Sequence, residues 1–244
     1  MLRHVDLCSG IGGFALGFQW AELSKPVLFC DIEPWSRKIL NKHWPDVPIA
    51  EDVKELANDP TRYVPDCDII SAGYPCQPFS SSGDKRGSKD DRHIWPEIFS
   101  IIKAKRPSWV VCENVYGHIN LGLDEVLSDL ESTSYAVKPF VIPACAVDAP
   151  HRRDRVWIIA RNVSNTDSQR RCSRNSERQN AKNAWQSSGR KGNNTRRMEL
   201  WKPEPPVGRV AHGIPRRVDR LRGLGNAIVP QIAQRIGETI KQCS

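Results

Sequence analysis

The feature that most narrows what this chain can fold into is a glycine-rich turn set between a strand and a helix. Residues 4–8 read as a short buried strand. They run into Ser9-Gly10-Ile11-Gly12-Gly13-Phe14-Ala15, and a helical pattern continues to about residue 23. A second apolar strand, residues 26–30, ends at an acid, Asp31. Strand, G-x-G-x-x-A turn, helix and strand together predict a βαβ unit. Glycines let a ligand approach the backbone, and an acid at the next strand end can accept hydrogen bonds from ribose hydroxyls. The pattern suits a nucleoside cofactor and leaves NAD and S-adenosylmethionine both open.

The alternation continues. Helices are expected over 33–44, 94–105, 123–131 and 226–240, and strands over 68–72, 109–112, 136–142 and 155–160. Alternating elements predict an α/β fold, a mostly parallel sheet covered on both faces. Apolar runs are far too short to span a bilayer, and the first residues lack a signal-peptide core. No membrane partner and a cytoplasmic location are therefore expected. No two of the eight cysteines lie within four residues of one another, so no zinc or CxxC redox pattern is present and reduced thiols are expected. Cys30, Cys67 and Cys112 sit in apolar stretches and read as core filler.

Charge is lopsided. Residues 151–222 hold 19 Lys+Arg against 6 Asp+Glu, whereas the rest holds 17 against 22. A mildly acidic body with a strongly basic segment points to a polyanion partner. Composition changes at about residue 162, where Asn, Ser, Arg and Gln replace large apolar groups. That stretch buries little by itself.

Three further segments carry chemistry. Gly73-Tyr74-Pro75-Cys76-Gln77-Pro78-Phe79-Ser80 follows a strand, at the carboxyl edge where parallel sheets bind ligands. Its prolines stiffen a loop presenting Cys76, a nucleophile once part of it is thiolate. Glu113-Asn114-Val115 ends the 109–112 strand and would set a carboxyl on the same edge, giving a nucleophile with a general acid. His151-Arg152-Arg153-Asp154-Arg155 opens the next strand, where arginines can hold a phosphate or a carbonyl by forked hydrogen bonds.

Taken together these segments resemble the C5-cytosine DNA methyltransferase family. The resemblance is carried by Asp6–Phe14, Gly73–Ser80, Glu113–Val115, His151–Arg155 and Gly223-Leu224-Gly225-Asn226-Ala227-Ile228-Val229-Pro230. Order and spacing match across residues 1–160 and again from about 218. The resemblance implies a Rossmann-like S-adenosylmethionine-dependent methyltransferase sheet with a small, basic, poorly structured recognition insertion. It divides the chain into a catalytic, S-adenosyl-L-methionine-binding domain, 1–161 plus 218–244, and a reduced target-recognition region, 162–217.

Site residues follow from the same resemblance. Cys76 is implied as the nucleophile that adds to C6 of cytosine, Glu113 as the group on N3, Arg153 as the contact to O2 and Arg155 as support for the same loop. For the cofactor, Cys8, Ser9, Gly10, Ile11, Gly12, Gly13 and Phe14 would face the methionine part. Asp31 would take the ribose hydroxyls, Ile32 would pack on adenine, and Asp52 and Val53 would read its amine. Pro75 and Trp95 would wall the pocket, and Asn226 and Ile228 would close it. Ile32 stands where some members carry a larger aromatic, and His151 where a glutamine is common. No metal is implied.

DNA contacts are expected from the run after the nucleophile, Ser80, Ser81, Ser82, Lys85 and Arg86, and from Arg170, Arg171, Arg174, Arg190, Lys191, Arg196 and Arg197 in the basic segment. The implied partner is duplex DNA, bound by a monomer in a bacterial or phage-infected cell at the nucleoid, with a cognate restriction endonuclease as a further partner. The alternatives are a tRNA cytosine methyltransferase of the same superfamily and a non-catalytic DNA-binding relative. An NAD-dependent oxidoreductase leaves Cys76 and Glu113 unexplained.

Overall fold

A computed structural model describes residues 1–75, 93–164 and 226–243. The fold begins with β1 (Leu2–Leu7), α1 (Gly13–Trp20), β2 (Ser24–Cys30), α2 (Pro34–His43) and a two-residue β3 (Ile49–Ala50). Two short helices follow, α3 (Val53–Asn58) and α4 (Pro60–Tyr63), and then β4 (Ile69–Ala72). The second half holds α5 (Trp95–Lys105), β5 (Trp109–Val115), α6 (Leu123–Ser132), β6 (Tyr135–Pro143), β7 (Asp154–Asn162) and α7 (Pro230–Cys243). Single 3-10 turns cover Tyr116–Asn120 and Ala144–Val147.

The seven strands form one sheet in the order β3-β2-β1-β4-β5-β7-β6. The first five run parallel, and β7 runs antiparallel to both β5 and β6. This is the Rossmann-like α/β sheet expected from the sequence. The reversed strand matters for the site: it brings the start of β7, not its end, to the edge where β1, β2, β4 and β5 end.

Neighbouring residues on the central strands feed two cores. Ile70, Val110 and Ile158 pack on one face with Ile98, Ile101 and Ile102 of α5 and Leu130 of α6. Ile69, Val111 and Trp157 pack on the other with Phe14 and Phe18 of α1 and Ile232, Ala233 and Ile236 of α7. Side chains alternate across a pleat, so a strand covered on both faces must be apolar at nearly every position.

The two ends of the chain meet where α7 lies on α1. A Cβ built on Gly17 would stand 2.4 Å from Pro230 O and 2.6 Å from Ala233 Cβ, so this crossing admits no side chain. The helix expected over 226–240 starts at Pro230 instead. A residue before proline is disfavoured in the helical region, and proline is preorganised for the first turn; the amides of Ile232 and Ala233 both donate to Val229 O. Helices α3 and α4 escape the hydrophobic pattern because they are short. Each is started by an aspartate: Asp52 Oδ1 accepts from Lys54 N at 2.9 Å, and Asp59 Oδ1 from Arg62 N at 3.1 Å. No helix among the described residues is long and apolar enough to cross a membrane.

Candidate active site

A cavity of about 710 Å³ opens along the carboxyl edge of the sheet. Its wall on the β1–β2 side is largely backbone. Cys8 leaves β1 with φ 53 and Gly10 follows at φ 55, both left-handed. Ser9 turns inward, its hydroxyl donating to Asp6 O at 2.5 Å and to Cys30 O at 3.2 Å. Asp31 then ties the turn to β2: Oδ2 accepts from Gly10 N at 2.7 Å and Oδ1 from Glu33 N at 2.9 Å. Burial raises the Asp31 carboxyl above its ordinary value against the pull of these amides. Arg37 fixes the following turn, donating to Asp31 O at 3.1 Å and Ile32 O at 2.9 Å while pairing with Glu51 at 3.1 Å.

Gly10 shows what this wall is for. A Cβ built there meets no atom of the described residues within 4 Å, and the glycine lines the cavity. Gly12 is the opposite case: with φ 84 it starts α1, and a Cβ would lie 2.5 Å from the Trp44 ring. Carboxylate, open backbone and apolar side chains on one concave wall fit a nucleoside with a polar tail.

The β5–β7 side is built from side chains. Antiparallel register sets Arg155 opposite Val115 and Trp157 opposite Glu113, so Glu113 and Arg155 are diagonal neighbours on one face. Arg155 Nε lies 3.0 Å from Glu113 Oε1, and its Nη1 donates to Asp154 O. Glu113 is only 8% exposed. Burial pushes its carboxyl up to about 7, opposed by the positive charges of Arg155 and Arg153. A carboxyl that holds or releases a proton near neutrality is what a general acid requires. Arg153, at φ 39, reaches across to the late segment, its Nη2 donating to Ala227 O at 2.9 Å.

Of the residues singled out from sequence, Cys8, Gly10, Asp31, Ile32, Asp52, Val53, Pro75, Glu113, Arg153, Arg155 and Asn226 line this one cavity. Ser9, Ile11, Gly12, Gly13, Phe14, Trp95 and Ile228 do not line it. Phe14 is in the core, its ring 5.6 Å from that of Trp157. Ile228 seats against Gly13, where a Cβ would come within 2.7 Å of it, and against Gly73. Trp95 backs Tyr74 at 5.5 Å and donates from Nε1 to Asp129 Oδ2 at 2.7 Å. Cys76, Ser80, Ser81, Ser82, Lys85, Arg86, Arg170, Arg171, Arg174, Arg190, Lys191, Arg196 and Arg197 lie outside the described residues, as does most of the 162–217 region.

Ten lining residues fall outside that set, and three of them bear most on the site. Trp35, in the first turn of α2, adds an aromatic surface to the wall that carries exposed Ile32. Tyr74 sits beside Pro75. Asn114 is buried, and its Nδ2 has no partner among the described residues. Asn114 and Tyr74 lie within segments already picked out, next to a more reactive neighbour; Trp35 carries no motif.

The sequence model of the family described as C-5 cytosine-specific DNA methylase matches residues 2–201. Type II methyltransferase M2.BsuMI of Bacillus subtilis is 32% identical over 168 residues, 65% of this chain and 42% of that protein. Type II methyltransferase M.NgoFVII of Neisseria gonorrhoeae is 32% identical over 163 residues, 64% of this chain and 43% of that protein. The chain thus spans well under half the length of these relatives. Among solved structures, the Dnmt2 methyltransferase of S. pombe superposes with a TM-score of 0.58 at 24% identity, covering 66% of this chain and 51% of that one. A putative DNA modification methyltransferase encoded within an E. coli prophage gives 0.56 at 23%, covering 67% and 47%. These two likenesses concern the fold.

Proposed function

The chain belongs to the C-5 cytosine-specific DNA methylase family, and from that premise we propose that it transfers a methyl group from S-adenosylmethionine to C5 of cytosine in duplex DNA. The observation that carries this reading is the shared cavity. The Gly10–Asp31 wall suited to a nucleoside and the Glu113–Arg155 pair suited to acid chemistry face the same space.

Asp31 would hold the ribose hydroxyls through lone pairs left over from its two amide contacts. Ile32, Trp35 and Val53 would enclose the adenine. Gly10 would let the methionine part approach the backbone. Bound S-adenosylmethionine supplies an electrophilic methyl group.

Cytosine C5 is a poor nucleophile while the ring is aromatic. In the proposed reaction the Cys76 sulfur bonds to C6 while Glu113 gives a proton to N3. The electron pair displaced from the C5–C6 bond makes C5 an enamine carbon able to accept the methyl group. Loss of the C5 proton to a base then expels the Cys76 sulfur, N3 returns its proton to Glu113, and aromaticity is restored. Arg155 holds Glu113 in place and moderates its acidity, and Arg153 is set beside it to meet the base carbonyl. The target atoms lie within a base stack, so the cytosine must turn out of the duplex at a cost of a few kcal/mol, offset by phosphate contacts. The basic 162–217 region is the proposed source of those contacts.

Methylation-sensitive sequencing of DNA from cells expressing the full chain tests this. Recurrent 5-methylcytosine that disappears in Cys76→Ser is the expected result. Unmodified DNA overturns the reading, and 5-methylcytosine in tRNA alone replaces the substrate class.

A further inference from the structure

The β4–β5 ladder ends at the pair Ala72↔Cys112. Beyond it the two strands lead to the two halves of the proposed chemistry, residue 76 after β4 and Glu113 in the last three residues of β5. They meet again through side chains. The Tyr74 hydroxyl lies 3.0 Å from His118 Nε2, with the two rings edge to face at 5.6 Å. His118 belongs to the 3-10 turn Tyr116–Asn120 that directly follows β5. Both residues are buried, and Tyr74 also borders the large cavity.

We propose that the Tyr74–His118 pair is a positioning brace: it fixes Tyr74 and Pro75, and so the entry to residue 76, at a set distance from the strand end bearing Glu113. This rests on the covalent reading above.

Three observations support it. The pair is anchored away from the cavity, because Tyr74 packs on Trp95 of α5, which is bonded in turn to Asp129 of α6. Little can relax around it: a Cβ on Gly122 would stand 3.2 Å from His118 Cε1, and the adjoining void of about 20 Å³ has room for roughly one water. Burial also lowers the imidazole to about 4, so His118 is neutral at neutral pH. Removing the Tyr74 hydroxyl would take away the partner of the buried His118 Nε2 and free the loop entry to shift, and small displacements at a reacting centre are costly in rate.

The test uses the full chain and a plasmid-length duplex synthesised with 5-fluorodeoxycytidine at every cytosine, so that the recognition site need not be known. With saturating methyl donor, the rate of covalent adduct formation is measured beside donor affinity and Tm. Tyr74→Phe keeps the packing and removes only the hydroxyl. It is expected to slow adduct formation ~10-fold with donor affinity within about twofold of wild type. His118→Phe should slow it similarly, and the double variant should be no slower than either single one. His118→Gln, which retains a polar partner, should recover most of the rate. An unchanged rate in Tyr74→Phe overturns the brace, as does a loss of donor affinity in step with rate or a multiplied loss in the double variant. If Tyr74→Phe fails to fold, His118→Gln against His118→Phe decides on the same readouts. A wild-type chain that forms no adduct defeats the covalent reading itself, and the brace with it.

Discussion

At the ends of β1 and β2 the cavity wall is a backbone turn whose amides are bracketed by one carboxylate, Asp31. At the ends of β5 and β7 it is a pair of long charged side chains, Glu113 and Arg155, brought together by antiparallel register. The first construction is stiff and sets shape. The second is poised, because a carboxyl balanced near 7 responds to small changes in its surroundings. In the proposed reaction, recognition and proton chemistry would be divided between two sides of one cavity, each with its own means of failure.

If that division holds, the largest effect belongs to Glu113. Glu113→Gln should keep cofactor affinity and reduce turnover on the order of 10²–10⁴-fold. Arg155 gives the same prediction a sign in pH. Its charge lowers the Glu113 carboxyl, so Arg155→Gln lets the value rise. A reaction that needs protonated Glu113 loses rate as pH climbs past about 7, and in Arg155→Gln this alkaline limb should move to higher pH. The pH profile of single-turnover methylation checks it; a limb moving to lower pH would break the proposed role.

A second carboxyl sharpens the comparison. Asp6 lies beneath the glycine turn, fully buried, with Oδ1 accepting from Ser71 Oγ at 2.5 Å and Oδ2 unmatched among the described residues. Burial pushes it up to about 7, as with Glu113, but it lines neither the large cavity nor the small void beside His118. Because the folded value is raised, its contribution to stability is complete below the ordinary value of 3.8 and fades as pH rises through about 7. Asp6→Asn removes that titration. Its stability relative to wild type should therefore improve by about 1–3 kcal/mol between pH 5 and pH 8. Denaturant unfolding at the two pH values measures this, and a pH-independent difference would refute it.

The same contrast explains what the sequence could reveal. The backbone side is local: residues 8–14 and Asp31 fall within one βαβ unit, so strand pattern, glycine spacing and acid are read together. Glu113 was legible for the same reason, standing at a strand end. Trp35 was not, because whether a helix residue faces core or cavity depends on how α2 packs. Phe14, Trp95 and Ile228 show the reverse. They sit in segments marked for the cofactor, yet their side chains are packed into the interior and do not line the cavity. Motifs fix which backbone reaches the site; alternation and packing decide which side chains enter it.

The smallest expected effect separates shape from stability within the backbone wall itself. Gly10 and Gly12 are both left-handed, but their surroundings differ. Alanine at Gly10 meets no atom of the described residues within 4 Å and carries the conformational cost of a side chain at φ 55, about 1–2 kcal/mol. Its methyl group projects where the cofactor would lie. Gly10→Ala should therefore weaken S-adenosylmethionine binding more than tenfold while lowering Tm by only a few degrees. Gly12→Ala forces its methyl group into the Trp44 ring, 2.5 Å away, and should destabilise the fold more while sparing affinity in the fraction that remains folded. Calorimetric binding alongside thermal unfolding distinguishes the two. If Gly10→Ala binds the cofactor as wild type does, the open face at residue 10 is not part of the binding wall, and the backbone side of the comparison fails at its centre.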